Sequence, residues 1–157
     1  MVTHVGTRAP SVADVRAALR DVADPEIPVV SVMDLGMVDR VEVAQGRVSV
    51  DLLPTFIGCP ALEMIETAVT DRLAAFGLPT EVTFTTRVPW TSDRISERGR
   101  ERLRAAGIAP PADPSDVRCA WCGSVRVVMD SAFGPTQCRS LFYCRDCRQP
   151  FEALKPV

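Results

Sequence analysis

The sequence predicts an α+β protein: a small α-β-β-α-β domain with a three-stranded mixed sheet, followed by a basic helix and a C-terminal four-cysteine ribbon. Two observations predict it. Helical and strand periodicities alternate over residues 11–90, and two C-x-x-C motifs lie about twenty residues apart near the C-terminus. We therefore divide the chain into a disordered lead (1–10), an α/β domain (11–90), a basic helix with a proline-rich linker (91–115) and the ribbon (116–157).

Composition excludes several classes of protein. The 157 residues are 46% hydrophobic and 24% charged, which is typical of a soluble globular protein, and the net charge of −2 argues against a general polyanion binder. No apolar run approaches the ~20 residues that span a bilayer. The first ten residues lack the apolar core of a signal peptide, so we expect a cytoplasmic protein whose six cysteines bind metal or react.

The first helix and the first two strands follow from local patterns. Ser11 and Asp14 form an acidic capping box at the start of a helix over about 11–22, in which apolar residues recur at helical spacing. Residues 37–44 and 47–53 alternate as strands do, and Gln45-Gly46 between them favours a tight hairpin turn.

The second helix and the third strand complete the domain. An apolar stripe predicts a helix over about 60–76, which Gly77 ends, and residues 80–87 alternate as a third strand. The simplest packing places both helices on one face of the sheet, and the third strand follows the hairpin through a right-handed helical crossover.

The region after the sheet is basic. Ser92 is a candidate N-cap for a helix that runs to about Ala106, which Gly99 weakens and Gly107 stops. Its arginines are Arg94, Arg98, Arg100, Arg102 and Arg104. This helix is either a solvated surface helix or a basic arm that docks on an acidic partner. A stiff proline-rich linker over 110–114 follows.

One cysteine lies where a strand leads into a helix. Cys59, in Gly58-Cys59-Pro60, is predicted at the N-terminus of the second helix, where free N–H groups and the helix dipole favour an anion. We expect a lowered thiol pKa there, and hence more of the thiolate that binds metals. The alternative is a buried cysteine that acts as a small apolar residue.

Three carboxylates lie in loops of the same domain. Pro25 and Pro28 hold Asp24 and Glu26 in an extended, rigid path, and Asp34 begins a second turn-like segment. Solvated turn residues are the commoner interpretation of such a pattern.

The strongest spacing signal is in the ribbon. Two C-x-x-C pairs can place four thiolates around one tetrahedral ion, which predicts structural zinc, with iron in a rubredoxin-like site as the minor alternative. The four cysteines are Cys119, Cys122, Cys144 and Cys147. The ribbon is too small to bury a sizeable core, so the metal must supply much of its stability. Cys138 belongs to neither C-x-x-C pair. Its spacing leaves three roles open: a packing residue, a substitute ligand or a second reactive thiol.

Several motifs together resemble one family. The segments 24–28 and 34–36, with Thr55 and Gly58-Cys59-Pro60, are similar to the domain of iron–sulfur cluster assembly factors. Residues 90–111 and the ribbon segment from Ser131 to Cys138 narrow the resemblance to the PaaD family of phenylacetate degradation, over nearly the whole chain. The second knuckle departs from the first, because no glycine follows Cys147.

The resemblance implies an accessory subunit of the phenylacetyl-CoA oxygenase (epoxidase) system, which helps to mature its iron–sulfur or di-iron components and is not itself catalytic. It implies that Cys59 is a transient ligand of iron or of a cluster. It also makes five further residues candidates for lining the same site: Asp24, Glu26, Asp34, Thr55 and Cys138. The implied partners are the oxygenase components, and a homodimer would supply a second Cys59.

Two other functions compete with this one. A catalytic oxygenase subunit is disfavoured because the chain has no Glu-x-x-His pair for a di-iron site, and its one histidine is His4. A zinc-ribbon module that binds protein or nucleic acid without cluster chemistry is the alternative. The ribbon carries only five basic side chains against three acidic ones over residues 119–157, which disfavours nucleic acid.

Overall fold

A computed structural model describes residues 8–157 and confirms the predicted α+β class. The helices are α1 (Val12–Leu19), α2 (Leu62–Ala74) and α3 (Glu97–Ala105). The first sheet contains β1 (Val38–Ala44), β2 (Arg47–Leu52) and β3 (Thr80–Phe84). The second contains β4 (Ile108–Ala109), β5 (Val127–Ser131), β6 (Arg139–Cys144) and β7 (Pro150–Leu154). Most of the predicted disordered lead, residues 1–7, lies outside the described part of the chain.

The first sheet has the predicted mixed topology. β1 pairs antiparallel with β2 across the Gln45-Gly46 turn, and β3 pairs parallel with β2 after α2 has crossed over. The predicted capping box begins α1, since the Asp14 N–H donates to Ser11 Oγ and the Ser11 N–H donates to the Asp14 carboxylate. Alternate residues of β2 are buried with the apolar stripe of α2, and these side chains form the main core.

The basic helix begins later than predicted. Ser96, not Ser92, caps α3 by accepting a hydrogen bond from the Gly99 N–H at 3.0 Å, while Ser92 starts a separate 3-10 turn. Leu103 is completely buried in the main core. A Cβ on Gly99 would lie 2.8 Å from the Asp34 carbonyl oxygen, so this glycine lets α3 approach the first domain closely.

Several of the arginines bind within the chain. Arg98 Nε donates to the Asp34 carboxylate at 2.9 Å, Arg102 reaches it at 3.4 Å, and Arg94 donates to the Gly36 carbonyl. The helix is therefore not merely solvated, because two of its arginines bind a carboxylate of its own chain. Docking of the helix on an acidic partner stays a prediction.

The ribbon sheet has the strand order β4-β7-β6-β5, with β4 parallel to β7. β4 falls inside the segment 91–115 assigned to the basic helix and linker, so part of that segment pairs with the ribbon. Ile108 and Leu154 are buried in the main core, while Phe142 and Phe151 stack in a small core of the ribbon with ring centroids 5.7 Å apart. The ribbon therefore packs directly against the first domain.

No helix within residues 8–157 is long and apolar enough to cross a membrane.

Candidate metal centre and cysteine cavity

The four ribbon cysteines converge on one point. The sulfur atoms of Cys119 and Cys147 are 3.6 Å apart, as are those of Cys122 and Cys144, and all four lie within 4.8 Å of one another. A tetrahedron of thiolates with Zn–S bonds of about 2.3 Å has sulfur–sulfur edges of about 3.8 Å. The donor set and its spacing therefore fit a closed tetrahedral ion such as zinc.

Two matching turns hold these cysteines. Gly123 follows the first C-x-x-C pair with φ 74°, and Arg148 takes the same left-handed conformation after the second pair, with φ 59°. The missing second glycine is therefore replaced by a residue in a conformation that side chains rarely adopt. Burial opposes ionisation of Cys144, but N–H groups of Cys147 and Asp146 outweigh it, so that its pKa falls to about 6.

The loop before α2 carries Cys59. α2 begins at Leu62, so Cys59 lies outside the first helical turn, and the Leu62 N–H donates to the Cys59 carbonyl at 3.3 Å. The half-buried Cys59 thiol faces Glu26 Oε2 at 3.9 Å. Cys59 therefore lies between a strand and a helix, as predicted, but the first turn of α2 does not surround its sulfur atom.

The expected lowering of the Cys59 pKa is wrong. Burial raises the pKa of this thiol, and the neighbouring acidic groups of Glu26, Cys138 and Asp24 raise it further, against one opposing hydrogen bond from the Ala61 N–H. The influence of a helix N-terminus falls off within its first turn, and the nearby carboxylates oppose it. Cys59 is therefore a thiol at neutral pH.

Cys59 lines a cavity of about 360 Å³ between the two parts of the chain. From the first domain, Asp24, Glu26, Thr55 and Cys59 line it together with apolar side chains that include Phe56 and Trp90. From the ribbon, the segment 133–138 and Lys155 line it. The structure thus brings Cys138 to the same cavity as Cys59.

The remaining candidates are placed differently. Asp24 is buried and accepts hydrogen bonds from the N–H groups of Glu26 and Ile27, both at 2.8 Å, so it shapes the turn that presents Glu26. Burial raises its pKa. Asp34 is absent from the cavity lining. Its buried carboxylate binds the Ser31 N–H and the arginines of α3, which outweigh the effect of burial and lower its pKa.

Sequence reasoning missed Arg139. This buried side chain donates to Thr136 Oγ1 at 2.9 Å, to the Glu152 carboxylate at 2.6 Å and to the Glu26 carbonyl at 3.1 Å. Thr136 in turn lies 3.1 Å from the Cys138 sulfur. Arg139 thereby joins the loop of Glu26 to the loop of Cys138, and its position directly after Cys138 is the only signal in the sequence.

Two family models match the chain, one for each part. The model described as "Iron-sulfur cluster assembly protein" matches residues 12–84, and the model described as "PaaD zinc beta ribbon domain" matches residues 105–155. The first therefore covers the strands and helices around Cys59, and the second covers all four metal-site cysteines.

Solved structures support the fold of the first domain. A domain of unknown function from Bacillus anthracis is 27% identical, with a TM-score of 0.55 over 59% of this chain and 90% of that one. A conserved hypothetical protein from Thermotoga maritima is 28% identical, with a TM-score of 0.54 over 62% of this chain and 97% of that one.

Curated relatives extend the likeness to the whole chain. A "Fe-S protein maturation auxiliary factor" from Porphyromonas gingivalis is 37% identical over 57% of this chain and 88% of its own length. A "Putative 1,2-phenylacetyl-CoA epoxidase" component from Escherichia coli (strain K12) is 39% identical over 94% of each chain. With the ribbon and the Cys59 domain both matched, the chain belongs to the PaaD family.

Proposed function

We propose that this chain is an accessory protein that handles iron or iron–sulfur clusters for an oxygenase component in aerobic phenylacetate degradation. One observation carries the proposal. The thiol of Cys59 lines a cavity beside the Glu26 carboxylate, in a domain that matches iron–sulfur cluster assembly proteins. The names of the two curated relatives support the maturation role and the oxygenase system respectively.

The chemistry of the cavity suits temporary binding. A soft thiolate and a hard carboxylate together can hold iron, but these residues cannot complete a closed ligand set as the ribbon cysteines do. A raised thiol pKa makes binding compete with protonation, which favours release. A site that must pass its cargo to a client needs this property.

The ribbon supplies a structural metal centre in this proposal. Cys119, Cys122, Cys144 and Cys147 would hold zinc, which contributes folding free energy to a module with few core residues. The ribbon in turn provides one side of the Cys59 cavity.

Replacement of Cys59 by serine tests the proposal. The oxygenase components are produced with either wild-type chain or the Cys59→Ser variant, and then assayed for epoxidation and for iron content. We expect the variant to lower both by at least about tenfold, while its zinc content and melting temperature stay unchanged. Glu81→Gln, at an exposed position on β3, is the matched control and should support wild-type activity.

If Cys59→Ser matures the oxygenase as well as wild type does, the thiol is only a packing residue and the proposal fails. The direct partnership is tested separately by co-purification of the chain with each oxygenase component.

A second role, as a protein-binding ribbon, is favoured by exposed apolar side chains on the edge strand β5. Val128 and Met129 are 39% and 41% exposed, and no strand within residues 8–157 pairs with the outer edge of β5. Val128→Lys should weaken co-purification with the oxygenase component if this edge is the docking surface, and should leave cluster binding unchanged.

A further inference from the structure

We propose that the cavity binds a preformed iron–sulfur cluster as cargo, held between Cys59 of the first domain and Cys138 of the ribbon, and does not bind a single iron ion. The inference rests on the proposed function and specifies its cargo and its second ligand. Four features of the structure carry it: the positions of the two thiols, the absence of a preformed ion site among residues 8–157, the size of the cavity and the fixed conformation of the Cys138 loop.

The two thiols face one cavity from different parts of the chain. Cys59 lies on the loop before α2, and Cys138 lies on the loop between β5 and β6. Both are half-buried and pack against the main core, so neither needs to leave its position to reach the cavity. Each of these two cysteines lies outside the four-cysteine cluster and is free to bind a guest.

No ion site is preformed in this cavity. Within residues 8–157, the ribbon cysteines form the one group of three or more Cys, His, Asp and Glu side chains that are placed to hold a single ion. No three of the side chains of Cys59, Cys138, Glu26 and Asp24 are therefore grouped closely enough to hold one ion. In this arrangement a single ion would find at most two of these ligands, whereas a cluster offers a separate metal atom to each thiol.

The volume fits such a guest. A space of about 360 Å³ is at the lower end of pockets that take small molecules, roughly 300–1,000 Å³, and is far larger than one ion requires. Most of its lining is apolar, and iron–sulfur clusters are bound by cysteine thiolates. The two thiols supply half of the usual four cysteine ligands, so the cluster keeps positions open for a client.

The Cys138 loop is fixed in place by the contacts around it. The Lys155 N–H donates to the Cys138 carbonyl at 2.9 Å, and the Gly134 N–H donates to the Arg139 carbonyl at 2.9 Å. The Arg139 side chain holds Thr136, beside the Cys138 sulfur, against the backbone of Glu26. These contacts preorganise Cys138 opposite the first domain and give the ribbon a role in cluster binding.

Loading is a ligand exchange without electron transfer. As each bond forms between iron and Cys59 or Cys138, the bond from that iron to an external thiolate breaks. The departing thiolate takes the proton that the cysteine releases and leaves as a thiol. Transfer to a client repeats the exchange, with client cysteines donating the protons that return to Cys59 and Cys138.

The test uses the full-length, zinc-loaded chain without oxygen. A [2Fe–2S] or [4Fe–4S] cluster with glutathione ligands is titrated in, and visible circular dichroism reports its binding in a chiral site. Ferrous ion without sulfide is titrated in parallel. Cys59→Ser, Cys138→Ser and the control Asp130→Asn, at an exposed position on β5 outside the cavity lining, are compared, with zinc, iron and sulfide measured in each.

We expect one of the clusters to bind with retention of zinc, and each cysteine variant to bind at least about tenfold more weakly than Asp130→Asn. Wild-type binding by Cys138→Ser, with loss in Cys59→Ser, would overturn the bridged site and leave the proposed function intact. Wild-type binding by Cys59→Ser would overturn both. Ferrous ion that binds as tightly as the cluster would show a single-ion site and contradict the inference.

Discussion

The chain contains two groups of cysteines that differ in how completely they surround a guest. In the ribbon, four sulfur atoms lie within 4.8 Å of one another. In the cavity, two thiols line a space of about 360 Å³ beside carboxylates, and burial keeps Cys59 protonated. The ribbon cysteines form a closed set that fits one ion, whereas the proposed function requires the cavity to accept a guest and release it.

The difference shows how one chain can place the same type of ligand atom, cysteine sulfur, in two different kinds of site. A closed set of four soft ligands needs nothing from a partner, so its metal adds to folding free energy. An incomplete set of ligands, in which a thiol must first lose its proton, holds a guest only while the new metal–sulfur bonds offset the free-energy cost of deprotonation. Arg139 joins the ribbon loop of Cys138 to the loop of Glu26, so that the ribbon supports one side of the cavity.

The largest effect should follow from loss of a metal-site cysteine. Cys144→Ser removes a completely buried ligand, and zinc-finger sites contribute roughly 10–16 kcal/mol of binding free energy at neutral pH. We expect this variant to lose its zinc and the protease resistance of residues beyond about 115, as measured by elemental analysis and limited proteolysis. Cys138→Ser, the fifth cysteine of the ribbon, should keep one zinc per chain. Zinc loss in both variants would erase the distinction between the two sites.

Arg139 should come next. Arg139→Met leaves the Glu152 carboxylate and the Glu26 carbonyl without their partner, which we expect to cost about 2–4 kcal/mol of unfolding free energy. Arg126→Gln is the control, because Arg126 pairs with Asp146 at an exposed position and should cost less than about 1 kcal/mol. Denaturant titration with zinc present measures both. Equal losses would mean that Arg139 does not connect the loops.

The protonation of Cys59 provides a smaller and more specific test. Because the Glu26 charge raises the Cys59 pKa, Glu26→Gln should lower it, so that alkylation of Cys59 accelerates at a lower pH than in wild type. Below the pKa the thiol reacts slowly, and the rate rises as pH increases through it. Mass spectrometry of the Cys59 peptide across a pH series measures the midpoint. An unchanged or raised midpoint would contradict the proposed contact between the two side chains.

The smallest effect concerns the second metal-binding turn. Arg148 has a left-handed conformation, so Arg148→Gly should remove strain and stabilise the zinc-bound chain by about 0.5 kcal/mol. The equivalent change in the first turn, Gly123→Ala, should destabilise the chain by about 1–2 kcal/mol. The added Cβ would meet no other atom within 4 Å, so the left-handed backbone conformation alone causes this loss. Thermal unfolding distinguishes the two signs.

Local pattern determined the elements and the metal cluster. The capping box, the hairpin turn and the paired C-x-x-C motifs each depend on residues a few positions apart, so periodicity and spacing were sufficient to predict them. The cap of α3 was predicted four residues too early, because both Ser92 and Ser96 can cap a helix and only the close approach of Gly99 to Asp34 selects the second.

Only the tertiary structure decided what surrounds each side chain. Asp34 and Cys59 are 25 positions apart in the sequence, yet one faces the arginines of α3 and the other faces Glu26 and the ribbon. The raised Cys59 pKa, the part played by Arg139 and the meeting of Cys59 with Cys138 all depend on burial and on contacts between distant segments. Electrostatic and packing effects act through space, so spacing along the chain cannot reveal them.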